Sequence, residues 1–186
     1  WVTGLSQRDV LRLLDPTLSV LPGCSGLCDL TLDATSFAVL ALPVERVFIT
    51  ENETNFLAFP SVADAIVIFG AGYGWEPVAR SQWLKHCVIY YWGDIDTHGF
   101  GILDQLRGKF DHVASFLMDR ATLDAHASVW GVEDKPLRVE LRRLRPDEQA
   151  LYDDLRDNRI RAGLRLEQEY VGFECLGAAL RKLCVP

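Results

Sequence analysis

The chain has 186 residues, of which 49% are hydrophobic, 24% charged and 10% aromatic, a composition that fits about one packed domain and excludes disorder, collagen-like repeats and coiled coil as the main state. Nineteen basic and 26 acidic residues give a formal net charge of −7, which argues against a general nucleic-acid coat or a binder of anionic membranes. No apolar run approaches the roughly 18 residues that a membrane-spanning helix requires, and the first residues lack the basic start and apolar core of a signal peptide. The sole methionine is Met118, which predicts a chain that begins inside a longer reading frame. Five scattered cysteines, Cys24, Cys28, Cys87, Cys175 and Cys184, show no paired zinc spacing and predict a reducing cytoplasm. Cys87 opens an apolar run and reads as a small core residue.

Residues 1–42 read as an adaptor segment. Within it, a serine cap and apolar spacing predict a short helix over residues 6–14, stopped by Pro16, and a Gly/Cys-rich turn follows over 22–28. Residues 30–33 and 37–42 each fit a strand or a packed linker. From residue 43 to 186 the pattern sharpens. A strand over 44–50 ends at Glu51-Asn-Glu-Thr-Asn55 and a short helix to Phe59. The apolar run 65–69 leads into Gly70-Ala-Gly-Tyr-Gly74 and helical spacing through Val78, Trp83 and Leu84. A third run, 88–92, ends in Gly93-Asp-Ile-Asp-Thr-His-Gly99 and a helix over 100–110. A fourth, 113–117, precedes a helix over 119–127. Residues 139–144 fit an edge strand, and 147–157 and 162–183 read as helical. Short, fully apolar strands alternating with helices predict an α/β fold with a parallel sheet buried on both faces, here with a C-terminal helical extension.

Ligands of open α/β sheets gather at the carboxyl ends of the strands. Those ends carry Glu51 and Glu53, then the glycine loop, then Asp94 and Asp96. An extended backbone points residues two apart the same way, so Asp94 and Asp96 present two carboxylates to one side. Hard oxygen ligands on neighbouring loops suit Mg²⁺ or Mn²⁺, and a divalent cation relieves the repulsion between them.

The order strand–Glu, strand–glycine loop, strand–Asp-x-Asp–helix resembles the Toprim domain of topoisomerases, primases and some nucleases. Asp94-Ile-Asp-Thr-His-Gly-Phe-Gly-Ile102 is similar to the Asp-x-Asp-x-x-Gly-x-x-Ile motif of topoisomerase VI A subunits, with Thr97 where that family has proline. A narrower match lies in Ile49-Thr-Glu-Asn-Glu-Thr-Asn-Phe-Leu57, Phe69-Gly-Ala-Gly-Tyr-Gly74, Tyr91-Trp-Gly-Asp-Ile-Asp-Thr-His-Gly99 and Arg165-Leu-Glu-Gln-Glu169. From residue 43 onward these resemble the C-terminal domain of the JetD family, the nuclease subunits of Wadjet anti-plasmid systems. The resemblance implies that Glu51 is a metal ligand or general acid/base and that Asp94 and Asp96 are metal ligands. Glu53, Glu167 and Glu169 are then candidates for a second metal or its water shell. It also implies double-stranded DNA as substrate and, as partners, an SMC ATPase with its kleisin and accessory subunit; a homodimer stays open. No tyrosine-bearing winged-helix domain is legible, so hydrolysis by water is expected. A topoisomerase VI-like transesterase and a non-catalytic Toprim scaffold are the alternatives.

His98, just past the aspartates at a helix start, either contacts the scissile phosphate or donates a proton, or only caps the helix. Gly70, Gly72 and Gly74 either admit DNA to the backbone or form a tight turn. From residue 138 onward ten basic residues face nine acidic ones. Arg138, Arg142 and Arg143 on the expected strand, with Arg159 and Arg165 beyond, read either as a solvated face paired with carboxylates or as a ridge that tracks phosphates.

Overall fold

The computed structural model describes residues 8–18, 28–70, 78 and 80–183. The chain divides into two compact units, Trp1–Tyr90 and Tyr91–Pro186. The first holds β1 (Arg8–Leu13), β2 (Asp29–Asp33), α1 (Ala34–Ala38), β3 (Arg46–Thr50), α2 (Glu53–Leu57), β4 (Ala65–Phe69) and the start of β5 (Val88–Trp92). The second holds α3 (Thr97–Arg107), β6 (Ala114–Ser115), α4 (Arg120–Ala125), β7 (Gly131–Val132), α5 (Pro146–Arg156), β8 (Leu164–Arg165) and α6 (Phe173–Leu183). One six-stranded sheet runs in the order β2-β1-β4-β3-β5-β6, and β7 and β8 form a separate pair. The fold class is α/β, with helices flanking the sheet.

In the first unit, β3 and β4 are the parallel pair that their apolar runs predict, in register from Arg46↔Ala65 to Thr50↔Phe69. Val47, Phe48, Ile49, Ile66 and Val67 have no exposed surface, as expected for a strand covered on both faces. Phe48 stacks between Phe59 and Tyr90, with ring centroids 5.0 and 5.3 Å away. Cys87 is buried, as expected of a core residue.

Residues 8–13 correct the helix expected over 6–14: they form β1, antiparallel to β2 on one side and to β4 on the other. Leu11 and Leu13 are buried while Arg12 between them faces outward. Burying each leucine stabilises by about 2 kcal/mol, against tenths of a kcal/mol per residue for helix preference, so pairing with β4 decides the conformation. Arg12 closes the edge through a two-pronged ion pair with its cross-strand neighbour Asp29, at 2.5 and 2.8 Å, and holds the Asp29 carboxyl below the usual carboxylate range against the effect of burial.

In the second unit, α3 starts three residues earlier than the expected 100–110. It buries Phe100, Leu103 and Leu106 along one stripe. α5 matches the expected 147–157 closely and buries Leu151, Tyr152 and Leu155. Phe100 and Tyr152 meet edge to face, 6.3 Å between centroids. Residues 139–144 correct the expected edge strand, for they are irregular. Asp104 of α3 explains why: its Oδ1 accepts from the backbone N–H groups of Arg142 and Arg143 at 2.9 and 2.7 Å, so those donors leave no ladder to form. The continuous helix expected over 162–183 is likewise corrected. β8, a 3₁₀ turn (Gln168–Tyr170) and α6 occupy that span.

A buried ion pair joins α3 to α5. Arg107 donates to both oxygens of Glu148, at 2.5 and 2.9 Å, and also to the carbonyls of Val113 and Arg143. Ser115 and the N–H of Arg145 complete the coordination of Glu148. Burial opposes the Glu148 charge, but these donors hold its carboxyl below the ordinary range. Removing one partner strands the other charge, so Glu148→Ala is expected to lower unfolding free energy by about 3–5 kcal/mol, read as a lower midpoint in urea melts at neutral pH. A variant as stable as wild type would show that this pair does not hold α5 in place.

Candidate functional site

At the end of β5, Gly93 carries the chain into the two aspartates. Asp96 is extended (φ −149°, ψ −179°) and caps α3, its Oδ1 accepting from the Gly99 N–H at 2.7 Å, which satisfies one of the free donors of the helix start. A Cβ on Gly99 would lie 2.1 Å from the Asp94 carbonyl oxygen. Only glycine lets the first helical turn close on the strand tip, which gives the glycine of the Asp-x-Asp-x-x-Gly motif a steric reason.

A distant segment crosses this tip. Ile95 and Leu166 exchange backbone hydrogen bonds of 2.9 and 3.1 Å in an antiparallel bridge. The bridge sets Arg165 over the acidic pair: Nη2 is 2.5 Å from Asp94 Oδ2, Nε 3.2 Å from Asp96 Oδ2, and Nη1 3.4 Å from Glu167 Oε1. The Gln168 N–H donates to Asp94 Oδ1 at 2.7 Å. Arg165 Nε nevertheless makes no hydrogen bond. Its approach to Asp96 is an ionic contact with poor alignment.

Glu133 stands behind the helix start, 7% exposed. β7 and β8 pair Val132 with Leu164, and the Glu133 N–H donates to the Gly163 carbonyl at 2.7 Å. Its carboxylate accepts from the Thr97 N–H at 3.2 Å and from Thr97 Oγ1 at 2.8 Å. Burial pushes the Asp96 carboxyl up to about 6. Repulsion from Glu133 and Asp94 adds to this, while the Gly99 N–H and Arg165 pull the other way.

With this geometry in place, the chain can be compared with known protein families: the family model described as Wadjet protein JetD, C-terminal, aligns with residues 4–180. The chain belongs to the JetD C-terminal family. Membership ties it to the Wadjet system. No curated protein gives a significant match. No helix among the described residues is long and apolar enough to cross a membrane.

Within this JetD-family chain, Asp94, Asp96, Arg165 and Glu167 converge in the second unit. Glu169 is exposed in the 3₁₀ turn. His98 is exposed on the first turn of α3, its Nε2 2.9 Å from the Lys135 carbonyl and 3.7 Å from Glu133 Oε1. Asp96, not His98, is the helix cap. Arg138 and Arg142 are exposed. Arg143 pairs with Asp104, and Arg159 with Asp154 and Asp157. In the first unit, Glu51 is half-buried on the bend after β3 and Glu53 is exposed at the start of α2. Asn52 caps α2 by accepting from the Asn55 N–H at 3.0 Å. Gly72, with Gly74 and Tyr73, lies outside the described residues.

Glu133, Gln168 and the placement of Arg165 escape the sequence reading, because each reaches the aspartates only through strand pairings 30 to 70 residues apart.

For a carboxyl raised by the fold, the unfolded chain gives up its proton first, so its cost is absent at low pH and grows as pH climbs from about 4 to about 6. Asp96→Asn keeps the acceptor for Gly99 and removes that cost. From 3.8 to about 6 the shift corresponds to about 3 kcal/mol at most. The variant is expected to unfold at higher urea than wild type at pH 7.5, with the difference vanishing near pH 4. Equal stabilities across that range would contradict the strained carboxylate.

Proposed function

We propose that this chain is the catalytic part of a Wadjet nuclease, cleaving double-stranded DNA by attack of water on the phosphodiester with Mg²⁺ or Mn²⁺. The observation that carries the reading is the convergence of Asp94 and Asp96 on one cation position, taken by the Arg165 guanidinium. Their donor set, two hard carboxylates, fits magnesium or manganese. Magnesium usually keeps several waters beside one or two carboxylates and substrate phosphate, which a pair of aspartates at a strand tip accommodates.

When bound, the metal would activate water and stabilise the leaving oxygen. The chain's own residues supply the rest. Asp94 and Asp96 hold the metal. Gly99 and the Thr97–Glu133 contacts fix the helix start that orients Asp96. Exposed His98 stands two residues past Asp96, where it can meet a phosphate oxygen. Exposed Arg138 and Arg142 supply positive charge to the DNA backbone without reading bases. Glu51 keeps the ligand or acid/base role that the resemblance implies, and Glu53, Glu167 and Glu169 the outer roles. Delivery of DNA belongs to the partners that the resemblance implies, an SMC ATPase with its kleisin and accessory subunit.

Of the three tyrosines of the second unit, Tyr170 is exposed in the 3₁₀ turn and two are closed off from attack on DNA. Tyr91 and Tyr152 are fully buried, and the Tyr152 hydroxyl donates to the Val139 carbonyl at 2.6 Å. In plasmid cleavage by the full-length protein in its complex with Mn²⁺, Asp94→Ala is expected to lower the rate by about 100-fold or more, with no protein left on the DNA after denaturation. Undiminished cleavage by Asp94→Ala would overturn the assignment of the site. A protein–DNA adduct would replace hydrolysis by transesterification.

A further inference from the structure

Arg107 and Arg165 are both arginines facing carboxylates, yet they are held differently. The Arg107 side chain is 4% exposed, and its Nε, Nη1 and Nη2 all donate well-formed bonds. Arg165 is 32% exposed, spreads over three carboxylates and leaves Nε unbonded. Its one strong bond is to Asp94. An arginine placed in this way can leave without breaking a buried network.

We propose that Arg165 is a displaceable counter-ion: it occupies the cation position between Asp94 and Asp96 until a divalent metal takes it, and the released guanidinium then grips a DNA phosphate, so that metal and DNA bind cooperatively through one side chain. The inference rests on the metal reading above and deepens it. A divalent ion on both carboxylates cannot share the position with a guanidinium lying 2.5 and 3.2 Å from the same oxygens, because the two cations repel. Once displaced, the guanidinium needs an anion, and its planar fork matches phosphate oxygens as it matches carboxylates. A metal that frees Arg165 raises affinity for DNA, and by linkage DNA raises affinity for the metal by the same factor.

The test is calorimetric titration of Mn²⁺ into the full-length chain, with and without a short DNA duplex whose integrity is checked on a gel afterwards. Wild type is expected to bind Mn²⁺ more tightly with the duplex, by about 5- to 150-fold, the usual range of such coupling. Arg165→Met is expected to bind Mn²⁺ about tenfold or more tighter than wild type without DNA and to lose the enhancement by DNA. Arg165→Lys, which keeps the charge but not the fork, is expected to fall between them and covers the case in which the methionine variant does not fold. Equal Mn²⁺ affinities in wild type and both variants would overturn the counter-ion and leave the metal reading standing. Absence of Mn²⁺ binding in every protein would overturn the metal reading and this inference with it.

Discussion

Two aspartates placed two residues apart on extended backbone bring like charge to one side of a strand end, and the second unit is arranged around that repulsion. The helix start supplies a backbone donor to Asp96 through Gly99, the 164–168 segment supplies a guanidinium and a second backbone donor through Arg165 and Gln168, and Glu133 secures Thr97 from behind. Even so the site is not neutral. Glu133 and Glu167 join the two aspartates around a single arginine. Burial is the main cause of the raised Asp96 carboxyl, and repulsion from Glu133 and Asp94 within that surplus adds to it.

The same unit shows how a protein handles charge when the purpose is only to hold elements together. Around Arg107 and Glu148 every donor has an acceptor, from side chains and backbone of four separate stretches of chain. Asp104 does similar work on residues 142 and 143, fixing an irregular segment by its backbone. Full satisfaction marks the structural carboxylates, whereas at the strand tip Asp96 Oδ2 meets Arg165 Nε only as an ionic contact.

How much of this was legible in the sequence follows from the range of the forces involved. β3 and β4 are visible as continuous apolar runs, because strands buried on both faces need no alternation, and β5 is visible as a third such run although Val88 is exposed. α5 is visible through its 3.6-residue period. The aspartates are visible because their spacing alone sets their direction. β1 is misread as a helix, since its leucines fit either period and only the presence of β4 decides between them. The arginines of residues 138–145 alternate like a strand, yet Asp104, more than thirty residues earlier, captures their backbone. Glu133 and Arg165 reach the site through the β7–β8 pair and the Ile95–Leu166 bridge, and no local pattern announces such pairings.

The bridge between Ile95 and Leu166 has a consequence for how the chain is made. Arg165 follows Asp94 by 71 positions, so at translation speeds of about 5–20 residues per second the acidic tip leaves the ribosome several seconds before its compensating cation exists. Throughout that interval the nascent strand end carries bare negative charge, and this corner of the fold can close only after the 164–168 segment has emerged.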